Sequence, residues 1–183
     1  MIARRPLLAA PLAASFALLA GGCAPAAETR VAVAANFTEP AKALAKRFEA
    51  RTGHKLILSF GSSGQFYTQI ANGAPYEVFL SADAERPVKA EAEGLAVAGT
   101  RFTYATGRLV LWSQTPGLVD GQGAVLSSGR FEKLAIAEPK SAPYGQAAVE
   151  TMTRLKVHDA LKPRIVQGAS ITQAFQYVRT GAA

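Results

Sequence analysis

The chain has 183 residues, 49% of them hydrophobic and 18% charged, an ordinary globular composition able to bury a core in one or two domains. Its formal charge is +7, but Lys and Arg are scattered and no basic run interleaved with aromatics occurs, so nucleic acid is not implied as a partner. One cysteine and two isolated histidines leave no disulfide framework and no zinc site built from His and Cys.

The first predicted element is a targeting signal. Arg4-Arg5 precede an apolar run from Pro6 to Ala20, and Gly21-Gly22-Cys23 follows. This is the charged region, short apolar stretch and small-residue cleavage zone of a secretory leader. The apolar run is too short to span a bilayer comfortably. Residues 1–26 therefore read as a signal peptide, and export is expected. Leu19-Ala20-Gly21-Gly22-Cys23 looks like a lipoprotein box that would acylate Cys23, while Ala24-Pro25-Ala26 offers an ordinary cleavage site; both routes stay open. Arg4 and Arg5 lie in the leader and no acid does, so the remainder carries +5, a mild field that favours an anionic ligand.

From Thr29 onward strands and helices alternate. Arg30–Ala35 reads as a buried strand. Pro40–Thr52 has Ala41, Leu44, Ala45 and Phe48 on helical spacing, closed by Gly53. Lys55–Phe60 is a strand, Gln65–Ala71 a helix, Glu77–Ser81 a short strand and Asp83–Glu93 a helix. Thr100–Ala105 and Arg108–Ser113 read as strands around Thr106-Gly107, crossing between two lobes. Thr115–Gly129 is a loop with a short turn of structure. Leu134–Ala137 is a strand, Tyr144–Leu155 a helix, His158–Lys162 a short helix or turn, Ile165–Gly168 a strand and Ser170–Arg179 a helix capped by Ser170. Trp112, Phe102, Phe131 and Phe175 are expected in the core. The alternation predicts an α/β chain of mostly parallel sheets flanked by helices.

Four of these strands run into turns that open directly into helices. They carry Asn36, Ser62-Ser63, Tyr144 and Ser170-Ile171. Ligand sites in such folds lie beyond the carboxyl ends of the strands. A helix N-terminus presents unpaired N–H groups and the positive end of the macrodipole. A hydroxyl or amide beside it makes an anion site without a cationic side chain.

The residues at these turns resemble the bacterial periplasmic molybdate-binding proteins of the ABC importer system. The likeness is carried by Val33-Ala34-Ala35-Asn36-Phe37-Thr38, Ser59-Phe60-Gly61-Ser62-Ser63-Gly64 and Asn72-Gly73-Ala74-Pro75-Tyr76-Glu77-Val78-Phe79-Leu80-Ser81-Ala82-Asp83. Tyr104–Ser113 and Ala142-Pro143-Tyr144-Gly145 match as well, and the likeness runs from Thr29 to Ala183. It implies a two-lobed periplasmic-binding-protein-like fold with the ligand cleft between lobes, divided here as 28–104 and 105–183. It further implies that molybdate or tungstate is held as an oxyanion by Asn36, Ser63, Tyr144 and the backbone N–H of Ile171, with Ala35 and Ser62 as additional neighbours. No cofactor and no cationic metal are implied. The protein would be a periplasmic monomer delivering its ligand to the membrane subunits of an ABC permease. Family members continue with an apolar strand, a return crossing and a final helix, whereas this chain stops at Arg179-Thr180-Gly181-Ala182-Ala183. The C-terminal return to the first lobe is therefore expected to be missing, with looser closure, weaker binding and readier aggregation.

A site with donors only penalises any ligand that carries a proton, because that O–H is buried without an acceptor. Molybdate, tungstate and sulfate carry none near neutral pH and phosphate does. Another oxyanion, such as sulfate or phosphate, is the alternative ligand, and a secreted hydrolase is the rival class. The hydrolase reading would need Ser62 or Ser63 with His54 or His158. However, Gly61-Ser62-Ser63-Gly64 lacks the spacing of a nucleophile elbow, and both histidines read as solvated surface residues. Asp83 and Glu77 are expected to cap or pair.

Overall fold

The computed structural model describes residues 27–183; the leader expected over 1–26, with Cys23, lies outside them. The first strand, β1 (Glu28–Ala34), carries Val31, Ala32, Val33 and Ala34, all essentially without exposed surface. They are buried because β1 is the centre of a parallel sheet of order β2-β1-β3, covered on both faces. It pairs with β2 (Lys55–Gly61) from Glu28↔Lys55 to Ala34↔Gly61, and with β3 (Val78–Leu80) from Val31↔Val78 to Val33↔Leu80. A 3-10 turn, Ala35–Phe37, leads from β1 into α1 (Thr38–Thr52). Pro40 is tolerated there because the first-turn N–H groups have no intrahelical acceptor anyway. α2 (Ser63–Ala71) follows β2, and α3 (Glu85–Ala92) follows β3.

The second lobe repeats the scheme on a smaller scale. β4 (Leu134–Ala137) pairs in parallel with β5 (Ile165–Gly168), from Leu134↔Ile165 to Ala137↔Gly168. α4 (Val125–Ser128) precedes this sheet, α5 (Pro143–Arg154) and α6 (His158–Leu161) join its strands, and α7 (Ile171–Arg179) follows it. Each lobe has its own core. Val31, Val33 and Ala41 gather Phe37, Leu56, Leu58 and Leu80 in the first; Ile136, Met152, Val157 and Leu161 gather Phe131, Leu134, Val149 and Ile165 in the second. A fully buried Val, Leu, Ile or Met side chain is worth about 1.5–3 kcal/mol, so these small clusters account for a large share of each lobe's stability.

The fold is thus α/β with two parallel sheets, as the alternation predicts, but the crossing strands do not form. Residues 100–113 hold neither helix nor strand. A strand exists only with a ladder partner, and none lies beside this segment among the described residues. Side chains anchor it instead. The Tyr104 hydroxyl donates to the Ser81 carbonyl at 2.7 Å, Trp112 stacks on Phe175 with ring centroids 4.9 Å apart, and Gln114 Nε2 donates to the Val178 carbonyl at 2.6 Å. Phe102, Trp112 and Phe175 are consequently not core residues: they are 75%, 44% and 45% exposed. Of the four aromatics expected inside, Phe131 alone packs against a core cluster.

Candidate functional site

The turns at the carboxyl ends of β1, β2, β4 and β5 converge on one small cavity between the lobes. Its lining includes Ala35, Asn36, Ser62, Ser63, Tyr144 and Ile171, and no charged side chain. The space open to the centre of a water-sized sphere is about 10 Å³. This suits one compact species, far below the several hundred Å³ that a nucleotide or drug-sized ligand needs.

Ser62 and Ser63 stand side by side with different duties. Ser62 is the N-cap of α2 and forms a capping box: its Oγ accepts from Gln65 N–H at 3.4 Å, while Gln65 Oε1 accepts from Ser62 N–H at 3.5 Å. Ser63 lies in the first turn, earlier than the Gln65 start predicted, because the capping box draws both residues into the helix entry. Its side chain has no exposed surface, and its Oγ accepts from Ala82 N–H at 2.9 Å. With that acceptor duty met, the Ser63 O–H is left to donate. Ala82 itself carried no signal as a polar residue; its place just past β3, the third strand end of the same sheet, is the feature that points to it.

Asn36 does not act as a cap. The caps of the 3-10 turn and of α1 are Ala34 and Phe37, and Asn36 sits inside the turn between them. Its amide is therefore not consumed at a helix end. The Ala35 carbonyl accepts from Thr38 Oγ1 at 2.8 Å and from Thr172 Oγ1 at 3.5 Å, the latter across the lobes. Occupying that carbonyl leaves the cavity poorer in acceptors.

The second lobe contributes differently. α5 starts at Pro143, which has no N–H, so Tyr144 supplies the first available amide; Ala142 before it has no side chain able to cap. α7 starts at Ile171 behind Ser170, whose Oγ accepts from Gln173 N–H at 3.4 Å. First-turn amides have no intrahelical acceptor. The Tyr144 hydroxyl lies against Gly107, where an ideal Cβ would come within 2.2 Å of it, so only glycine admits the ring in this position. Tyr104 stacks edge-on to Phe37 at 4.9 Å. Burial first, then the neighbouring Tyr144 and Asp83, push its hydroxyl above the usual tyrosine range and keep it a donor.

Arg86 pairs with Asp83, both side chains being less than one-fifth exposed, and Asp83 Oδ1 also accepts from Arg86 N–H at 2.9 Å. Glu77 Oε2 accepts from Arg30 N–H at 2.9 Å. His54 is exposed, and His158 lies 3.7 Å from Asp159 on α6; neither lines the cavity. Among the described residues no three His, Cys, Asp or Glu side chains gather as a metal site would require. The site as built is a cluster of amides and hydroxyls with helix starts aimed into it, a combination suited to holding a small anion.

Comparison with known proteins gives a consistent picture. The model of the family described as bacterial extracellular solute-binding protein matches residues 29–183. The molybdate-binding protein ModA of Azotobacter vinelandii is 60% identical over 158 residues, covering 86% of this chain and 63% of that protein. ModA of Rhodobacter capsulatus is 57% identical over 171 residues, covering 92% and 68%. Among solved structures, the Azotobacter vinelandii periplasmic molybdate-binding protein superposes with a TM-score of 0.82 at 47% identity, over 85% of this chain and 68% of that one. The chain thus spans roughly two thirds of the length of these relatives.

Proposed function

The chain belongs to the family of bacterial extracellular solute-binding proteins, and from that premise we propose that it captures molybdate or tungstate in the periplasm and delivers it to an ABC permease. Asn36, Ser63, Tyr144 and the Ile171 N–H hold the oxyanion, with Ala35 and Ser62 beside them. The observation that carries this reading is the Ser63 hydroxyl: fully buried, its oxygen already accepting from Ala82, and lining a cavity with no charged side chain. Such a hydroxyl donates to an unprotonated oxyanion, and no carboxylate lines the cavity to take the proton of a protonated one. Relatives that share 57–60% of the sequence carry the name molybdate-binding protein, which supports the choice of ligand.

The protein works by binding and release, without catalysing a reaction. Neither histidine reaches Ser62 or Ser63 to act as a base, and the relatives named above are binding proteins. We divide the chain at residues 104 and 105. Tyr104 is tied to Ser81 and Phe37 of the first lobe, whereas Gly107 meets Tyr144 and Trp112 meets Phe175 of the second. The chain acts as a monomer.

A thermal-shift series with molybdate, tungstate, sulfate and phosphate tests the proposal. A ligand at a thousandfold excess over its dissociation constant stabilises the folded state by about 4 kcal/mol. Molybdate and tungstate are expected to give the large shifts. A larger shift with sulfate or phosphate reassigns the ligand, and turnover of a generic ester reassigns the class.

A further inference from the structure

Gly64 is a glycine that the backbone does not require. It occupies the second position of α2, and it is not among the glycines with positive φ. Alanine adopts helical dihedrals freely and is the better helix former. The reason for glycine lies across the cleft. An ideal Cβ at position 64 would stand 2.7 Å from the Ser141 carbonyl oxygen, 2.9 Å from the Ser141 Cα and 3.1 Å from Arg86 Nη2. The first two are backbone atoms of the second lobe, which do not rotate aside as a side chain does. The Gly64 N–H in turn donates to the same Ser141 carbonyl at 2.8 Å. Beside this contact, Arg86 Nη2 donates to the Lys140 carbonyl at 3.3 Å while its guanidinium stays paired with Asp83. Gly64 directly follows Ser63, and Ser141 stands three residues before Tyr144, so the contact spans the cleft at the cavity's edge.

We propose that Gly64 is a positioning residue: its missing side chain is the stop against which the two lobes close, and it sets how near the Ser63 and Tyr144 donors come to each other around the anion. The proposal rests on the reading of the cleft as an oxyanion site. A methyl group here holds the lobes apart by the few tenths of an ångström that separate a hydrogen bond from a poor contact. The two backbone clashes exist only when the lobes meet; within the first lobe the methyl meets only Arg86 Nη2, the far end of a flexible side chain.

The test is Gly64→Ala, measured with sodium molybdate by calorimetric titration and stopped-flow. The ligand-free melting midpoint of the variant is expected to equal or exceed that of the parent, because alanine favours the helix. Molybdate affinity is expected to fall at least tenfold, through faster dissociation with an unchanged association rate, since the contact forms after encounter. Affinity within twofold of the parent overturns the proposal. So does a midpoint several degrees lower, which would make Gly64 a residue of the first lobe's internal packing. The same substitution in an Arg86→Gln background separates the two obstacles: a persisting loss places the clash at Ser141, and a vanished one places it at the guanidinium and overturns the stop. Failure of the parent itself to bind molybdate strikes the function reading alone and is read before any variant.

Discussion

The first lobe offers the cavity side chains with polar heads, Asn36, Ser62 and Ser63, on turns at the ends of β1 and β2. The second offers Ile171, whose side chain cannot donate, and Tyr144, with the starts of α5, which has no side-chain cap, and of α7, capped by Ser170, behind them. The supporting bonds differ in the same sense. Ser62 is locked in a capping box and Ser63 is fixed by Ala82, whereas α5 begins with no side-chain cap at all. The hydroxyls of the first lobe are thus fixed by hydrogen bonds within that lobe, and on the proposed reading they set which hydrogen-bonding pattern is accepted. The other supplies amides that are generic in chemistry and specific only in position. On the proposed reading, selectivity for an unprotonated anion belongs chiefly to the first, and enclosure to the second.

Substitutions can break this contrast. The largest effect is expected at Ser63. Ser63→Ala removes a donor to a charged ligand, worth about 1.5–3 kcal/mol of affinity, and also orphans the Ala82 N–H, costing on the order of 1 kcal/mol of stability. Asn36→Ala is expected to lose a similar affinity while the melting midpoint stays put, because Asn36 caps neither the 3-10 turn nor α1. Calorimetry and thermal melts on the pair check both halves, and a Ser63 variant with parental affinity would abolish the distinction between lobes. Next in size is Ile171→Ala. Its backbone N–H survives the change, so affinity is expected to remain within about threefold, or roughly 0.7 kcal/mol. A tenfold loss would show that the second lobe also reads its ligand through side-chain packing.

The smallest effect concerns pH. Burial in the folded protein raises the Tyr104 pKa above the ordinary tyrosine value of 10.0, so folding holds the hydroxyl proton more tightly than the unfolded chain does. That contribution is complete below about pH 10 and is lost as pH rises from there through the folded value. Denaturant midpoints at pH 9 and pH 11 are expected to fall for the parent and to fall less for Tyr104→Phe. Equal losses in the two would remove Tyr104 as an alkaline weak point.

Much of the cavity's lining was legible because its signals are local. Apolar strands ending in Asn36 or Ser62-Ser63 mark helix entries within a few residues, and entries at strand ends are where such folds bind. What escaped the sequence depends on distance. The contact of Ser63 with Ala82 spans 19 residues and that of Arg86 with Lys140 spans 54, and neither leaves a periodic trace. The Asn36 turn shows a different limit, since an amide before a helix reads as a cap, yet the chain placed its caps at Ala34 and Phe37. Trp112 and Phe175 failed as core markers for a third reason. Apolarity states that burial is favourable, and whether a surface exists to bury against is a property of the assembled fold.

Each sheet is closed within one contiguous stretch, β1 to β3 in residues 28–80 and β4 to β5 in residues 134–168. Chains with such short-range pairings lose little loop-closure entropy before their contacts repay it, and they fold fast. As the polypeptide emerges from synthesis, the half-cavity of Asn36 and Ser63 has all its strands before the half that carries Tyr144 exists. The contacts of greatest sequence separation, such as Thr172 to Ala35 at 137 residues, are those between the halves. The contacts that assemble last along the chain are thus the ones that bound the cavity, so completing the fold and completing the site are one event, the docking of two finished pieces.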